Sequence, residues 1–123
     1  MRYFTIDEFD SPDKKGSGKK MDNTLLSMLD EARHIAQVPF TINSGYRTEK
    51  HNKSIYKELK KPVNKNSSHL KGLAVDIACN DSRSRSIILS ALKDVSFNRV
   101  GIAKSFIHVD IDDTKSANVT WVY

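Results

Sequence analysis

The sequence has a single cysteine, Cys79, which excludes an internal disulfide framework and a cysteine-rich zinc finger. It ends the apolar run LAVDIAC and reads as a small apolar residue at a strand end. No apolar run approaches the roughly 20 residues needed to span a bilayer. The N-terminal stretch MRYFTIDEFDSPDKKGSGKK has no apolar signal core and carries acids early. Synthesis in the cytoplasm without a signal peptide is therefore expected, and action outside it requires release or carriage by something else. There is no internal repeat and no linker long enough to divide domains. Aromatic residues make up only 8% and do not interleave the lysines, so a nucleic-acid platform is only weakly indicated.

What is present fits one domain of 123 residues, with 38% hydrophobic and 28% charged residues. The net charge is +5, which favours an anionic partner: nucleic acid, an acidic membrane surface or anionic cell-wall polymer. DKKGSGKK and YKELKKPVNK are the richest basic segments, and both read as solvated surface. SPDKKGSG, residues 11–18, reads as a turn-rich surface loop.

Asp22 is a candidate N-cap. Leu25, Leu26, Leu29, Ala32, Ile35 and Ala36 follow at helical spacing, which predicts an amphipathic helix over about 22–37 with that face inward. Pro39 ends it. FTIN alternates as a short strand closed by the turn SGYR, and TEKHNKSIYKELK is helix-compatible up to Pro62. GLAVDIAC is strand. Asn80 or Asp81 caps a helix through about 94, with Ile87, Ile88, Ala91 and Leu92 buried. RVGIA and FIHVDID are strands joined by a tight turn around Lys104, and VTWVY adds a last one. The expected class is α+β, a small mainly antiparallel sheet with helices packed on one side.

The strand period of two places Leu73, Val75 and Ile77 on one face and Ala74, Asp76 and Ala78 on the other. In FIHVDID, Ile107, Val109 and Ile111 form the core face, leaving Phe106, His108, Asp110 and Asp112 opposite. If the two strands are neighbours, Asp76 meets His108. Gly72 lets the chain turn, so that His69 folds back over the same face. Two imidazoles and a carboxylate are a zinc ligand set that leaves a position for water. Taken singly, a loop histidine is more often a surface or capping residue, and a strand aspartate often binds a backbone N–H. Together they are harder to dismiss, because an unpaired buried carboxylate is costly and a metal removes the cost.

SGYRT with HN close behind it, SSHLKGLAVDI and FIHVD, in that order, resemble the zinc D-Ala-D-Ala carboxypeptidase family, of the lysostaphin, D-Ala-D-Ala peptidase and hedgehog fold group. The likeness runs from FTIDEFDSPD to FIHVD. It implies that His69, Asp76 and His108 bind Zn²⁺. It also implies that Arg47 points into the cleft to hold a carbonyl oxygen or a substrate carboxylate, and that Ser68 binds the peptide's terminal carboxylate. His51 and Asn52 are candidates for supporting roles around the site. Many relatives carry an acidic general base three residues before the last zinc histidine, whereas here that position is Ser105. Asp110, about 7 Å along the strand on the His108 face, is the nearest substitute. It either takes the proton from water or orients a ligand imidazole.

The function implied is hydrolysis of peptidoglycan stem peptides, as a carboxypeptidase or an endolysin-type endopeptidase. The partner is then the cell-wall peptide, with no nucleic acid and no membrane, and the protein a monomer. A phage-encoded chain, released by a holin or carried in the virion, fits as well as a bacterial one. The alternative is a non-catalytic wall- or protein-binding module that keeps zinc as a staple.

Overall fold

The computed structural model describes residues 1–123. Three helices carry the chain around one sheet: α1 (Asn23–Ala36), α2 (Glu49–Glu58) and α3 (Ser82–Asp94). The strands are β1 (Ile42–Ser44), β2 (Ala74–Ala78), β3 (Arg99–Ile102), β4 (Phe106–Asp110) and β5 (Val119–Val122). Their spatial order is β1-β2-β4-β3-β5, with antiparallel pairs except for β3 and β5, which run parallel. No helix is long and apolar enough to cross a membrane.

Each helix begins where a side chain supplies the missing acceptor. Asp22 accepts from Leu25 N, Thr48 from His51 N and Asp81 from Ser84 N. α1 ends at Gln37 in the left-handed region (φ 55°). α2 stops at Glu58, before Pro62 is reached, and Lys60 then takes φ 55°.

Leu25, Leu26, Leu29 and Ala32 of α1 and Ile88, Ala91 and Leu92 of α3 form one core with Val75, Ile77, Ile107 and Val109. Cys79 belongs to it as a small buried residue. Two residues expected inward are not. Ile35 is 44% exposed and Ile87 only half-buried. At about 100° per residue, each lies about 90° from the centre of its helix's apolar stripe, at the edge rather than under it. α2 buries only Asn52 and otherwise borders the opposite face of the sheet.

The segment 11–20 is more tightly held than a surface loop. Ser11 and Ser17 are buried, and Asp10 accepts from Gly16 N and Gly18 N. Ser11 Oγ and Asp13 Oδ2 accept from Thr48 N and Thr48 Oγ1, so the segment buttresses the start of α2.

Candidate metal centre

The non-core face of the sheet carries a single row of paired residues. Ser44 pairs Asp76, Asp76 pairs His108, His108 pairs Gly101, and Gly101 pairs Trp121. The period of two puts all five on one face, so the register alone brings Asp76 against His108. His69 arrives from a 3-10 turn over Ser68–Lys71, started by Ser67 Oγ accepting from His69 N. Gly72 ends that turn at φ 69°, and a Cβ there would come 2.2 Å from the Lys20 carbonyl oxygen. The expected fold-back at Gly72 is what drops His69 onto the face of Asp76.

The orientations of the two rings are fixed from behind. His69 Nδ1 lies 2.8 Å from the Gly45 carbonyl oxygen. A carbonyl only accepts, so Nδ1 carries the proton and Nε2 presents its lone pair. That Nε2 sits 3.3 Å from Asp76 Oδ1. His108 Nδ1 is 2.9 Å from the same Oδ1, and its Nε2 is 2.8 Å from Asp110 Oδ2. One ligand atom from each of His69, Asp76 and His108 lies within 4.8 Å of the others, and all three residues are buried.

This donor set fits a zinc ion. Two acceptor atoms, His69 Nε2 and Asp76 Oδ1, face each other at 3.3 Å, an arrangement that a cation between them stabilises. Each imidazole has its far nitrogen on an acceptor, as zinc-bound histidines do. Burial works against the charge on Asp76, but His69 and the His108 hydrogen bond outweigh it and hold its carboxyl well below the ordinary range. Burial lowers the His69 pKa. The ionised carboxylate and the neutral His69 are the forms a metal needs, whereas at His108 burial is overcome by the hydrogen bonds with Asp110 and Asp76, which raise the pKa.

Arg47 lies 9% exposed at the end of this row. Its Nε donates to Ser44 Oγ at 3.0 Å, Nη1 to Asn52 Oδ1 at 3.4 Å and Nη2 to Asp76 Oδ2 at 3.4 Å. Asn52, fully buried, donates in turn to the Asn64 carbonyl, so it holds the guanidinium. His51 does not line the cleft. Ser68 does, but its hydroxyl donates to Asp112 Oδ2 at 2.7 Å and accepts from Lys115 Nζ at 2.8 Å. Ser105 is exposed in the β3–β4 turn, away from the cleft.

Asp110 has no free oxygen. Oδ2 faces His108, and Oδ1 accepts from Arg99 Nε at 2.6 Å and Asp112 N at 3.1 Å. Burial opposes its charge, but the hydrogen bonds from His108 and Arg99 prevail and keep its pKa low.

Trp121 went unread in the sequence. Its ring is 5.5 Å from that of His108, and the Arg99 guanidinium lies 5.1 Å from its centre. The available signal was Gly101, since a glycine inside a strand marks a close approach. A Cβ on Gly101 would meet Trp121 Nε1 at 2.5 Å.

A family model described as peptidase M15 matches residues 2–110. The chain belongs to the M15 peptidase family. This is the zinc D-Ala-D-Ala carboxypeptidase type, and the α+β fold with its mostly antiparallel sheet agrees with it. A search of curated proteins finds no match. In this M15 peptidase the candidate zinc ligands His69, Asp76 and His108 all lie inside the matched span, while Trp121 lies beyond it.

Proposed function

We propose that this M15 peptidase is a zinc enzyme that hydrolyses peptide bonds of peptidoglycan stem peptides. The observation that carries the reading is the convergence of His69 Nε2, Asp76 Oδ1 and His108 Nδ1 beneath a cleft of about 510 Å³ that Arg47 also lines. Zinc held there would polarise the scissile carbonyl and lower the pKa of a water toward 7. Arg47, fixed by Ser44 and Asn52, is placed to bind the carbonyl oxygen as negative charge develops on it. Asp110 keeps the His108 ring in one orientation and, with both oxygens engaged, is a positioning residue rather than the proton acceptor. The positive net charge keeps the protein near anionic wall polymer, within the roughly 8 Å that salt leaves unscreened. Action at the cell wall, after release from the cell or carriage in a virion, follows from that substrate.

A second reading has one observation in its favour. The carboxylates lining the cleft are Asp76 and Asp110, one a candidate ligand and the other fully engaged. A wall-binding module stabilised by zinc has no need of a free base. Zinc content and muropeptide release, measured for the wild type and His69→Ala, separate the two. Stoichiometric zinc with release that His69→Ala abolishes is expected. Zinc without cleavage of any peptidoglycan type would replace the enzyme with the binding module, and absence of zinc would remove both.

A further inference from the structure

The cleft extends well beyond the candidate metal ligands. Trp121, on β5, reaches back over Gly101 to within 5.5 Å of the His108 ring. Phe106 lies two residues from His108 along β4, about 7 Å away, or about two residues of extended peptide. Ile55, Tyr56 and Leu59 of α2 border the cleft, and Phe106, Trp121 and Tyr123 line it from the sheet. The Tyr123 ring packs on Phe106 at 5.2 Å, so the sheet side offers this aromatic pair as well as Trp121. Trp121 and Tyr123 lie past residue 110, where the family match ends.

The cations of the cleft are mostly occupied. Arg47, held by Ser44, Asn52 and Asp76, is the donor assigned above to the scissile carbonyl oxygen, and Arg99 pairs with Asp110. Lys115 donates to the Asn66 carbonyl and to Ser68 Oγ, both at 2.8 Å, and lies 3.6 Å from Asp112. Ser68 is committed to Asp112. A carboxypeptidase needs a free cation or donor set for the terminal carboxylate next to the scissile bond. Lys61, exposed, is the lining cation without an ion pair.

From the aromatic-lined groove and its engaged cations we propose that the cleft takes an internal peptide bond. The M15 peptidase is then an endopeptidase, with the substrate on one side of the bond laid along Phe106, Trp121 and Tyr123. This rests on the peptidase reading above. Water adds across the amide: the C–N bond breaks, the acyl fragment leaves as a carboxylate and the other fragment as an amine.

The test uses the zinc-loaded full chain on muropeptides prepared from several wall types, with products identified by mass. Expected are fragments in which both new termini belong to pieces longer than one residue. Trp121→Ala and Tyr123→Ala are each expected to raise KM about fivefold to tenfold, the range of a lost aromatic contact, at unchanged zinc content. Tyr123 is 68% exposed, so that variant leaves folding intact. Release of single amino acids alone would overturn the endopeptidase assignment while leaving the peptidase reading in place. An unchanged KM in both variants would overturn the role of the aromatic lining. No cleavage by the zinc-loaded chain would remove the peptidase reading and this inference with it.

Discussion

Asp110 is where chemistry at single residues is most sharply defined. If its task is to hold the His108 ring, Asp110→Asn weakens zinc binding about 10-fold to 100-fold, read by competition with a chromophoric chelator. If it were the proton acceptor, the same variant would keep zinc and lose turnover instead. Arg47 makes the complementary case. Arg47→Ala is expected to lower kcat about 10²-fold to 10³-fold, as loss of an oxyanion donor does, and steady-state kinetics at matched zinc content measure it. Asp76 and His108 were legible because parity puts two costly residues on one face, and His69 because Gly72 lets the chain fold it back over that face. The support around them was less legible. Gly45 contributes only a carbonyl to His69, and Asn52 acts through Arg47. The first role leaves no trace in residue type, and Asn52 was a candidate only through the family resemblance.

At the scale of elements, Gly101 shows how a strand can shape a site by what it lacks. With no Cβ at this position, the indole of Trp121 lies flat on β3 and reaches the His108 ring. Gly101→Ala puts a methyl 2.5 Å from Trp121 Nε1, and the ring must move outward. The expected cost is about 1–3 kcal/mol, as for other overpacked sites, measured by denaturant unfolding. Trp121 is the sole tryptophan, so its emission should shift to the red in the same variant, and an unshifted emission would mean that the ring had not moved. The strands themselves were readable from alternation. That VTWVY joins β3 in parallel was not, because alternation gives the faces of a strand and says nothing of its neighbour. The apolar stripes of α1 and α3 were also readable, except at their edges, where Ile35 and Ile87 depend on what happens to pack beside them.

Across the whole molecule, carboxylates tie distant parts of the chain together, and this sets how stability responds to acid. Asp30, on α1, accepts from Arg2 N, Tyr3 N and Arg2 Nε, fastening the N-terminal segment to the helix. Burial opposes its charge, but the backbone N–H groups of Arg2 and Tyr3 prevail and hold its pKa below the usual value. Asp112 behaves alike. Burial again opposes the charge, and Thr114, Ser68 and Lys71 hold the carboxyl far below the ordinary range while joining the turn after β4 to the Ser68–Lys71 segment. These links span 28 and 44 residues of sequence, so local pattern could not reveal them, whereas the fold class followed from the order of helices and strands. A carboxyl with a lowered folded-state pKa stabilises the fold fully above its unfolded value of about 3.9, and that contribution is lost as pH falls toward the folded value. Asp30→Asn keeps the shape and an acceptor but removes the charge. The variant should melt below the wild type at pH 7, by a margin that holds down to about pH 5 and closes progressively below about pH 4. Thermal melts followed by circular dichroism across that range check it. A margin that persisted unchanged to pH 2 would mean that the Asp30 charge contributes nothing, and that geometry alone fastens the N-terminus to α1.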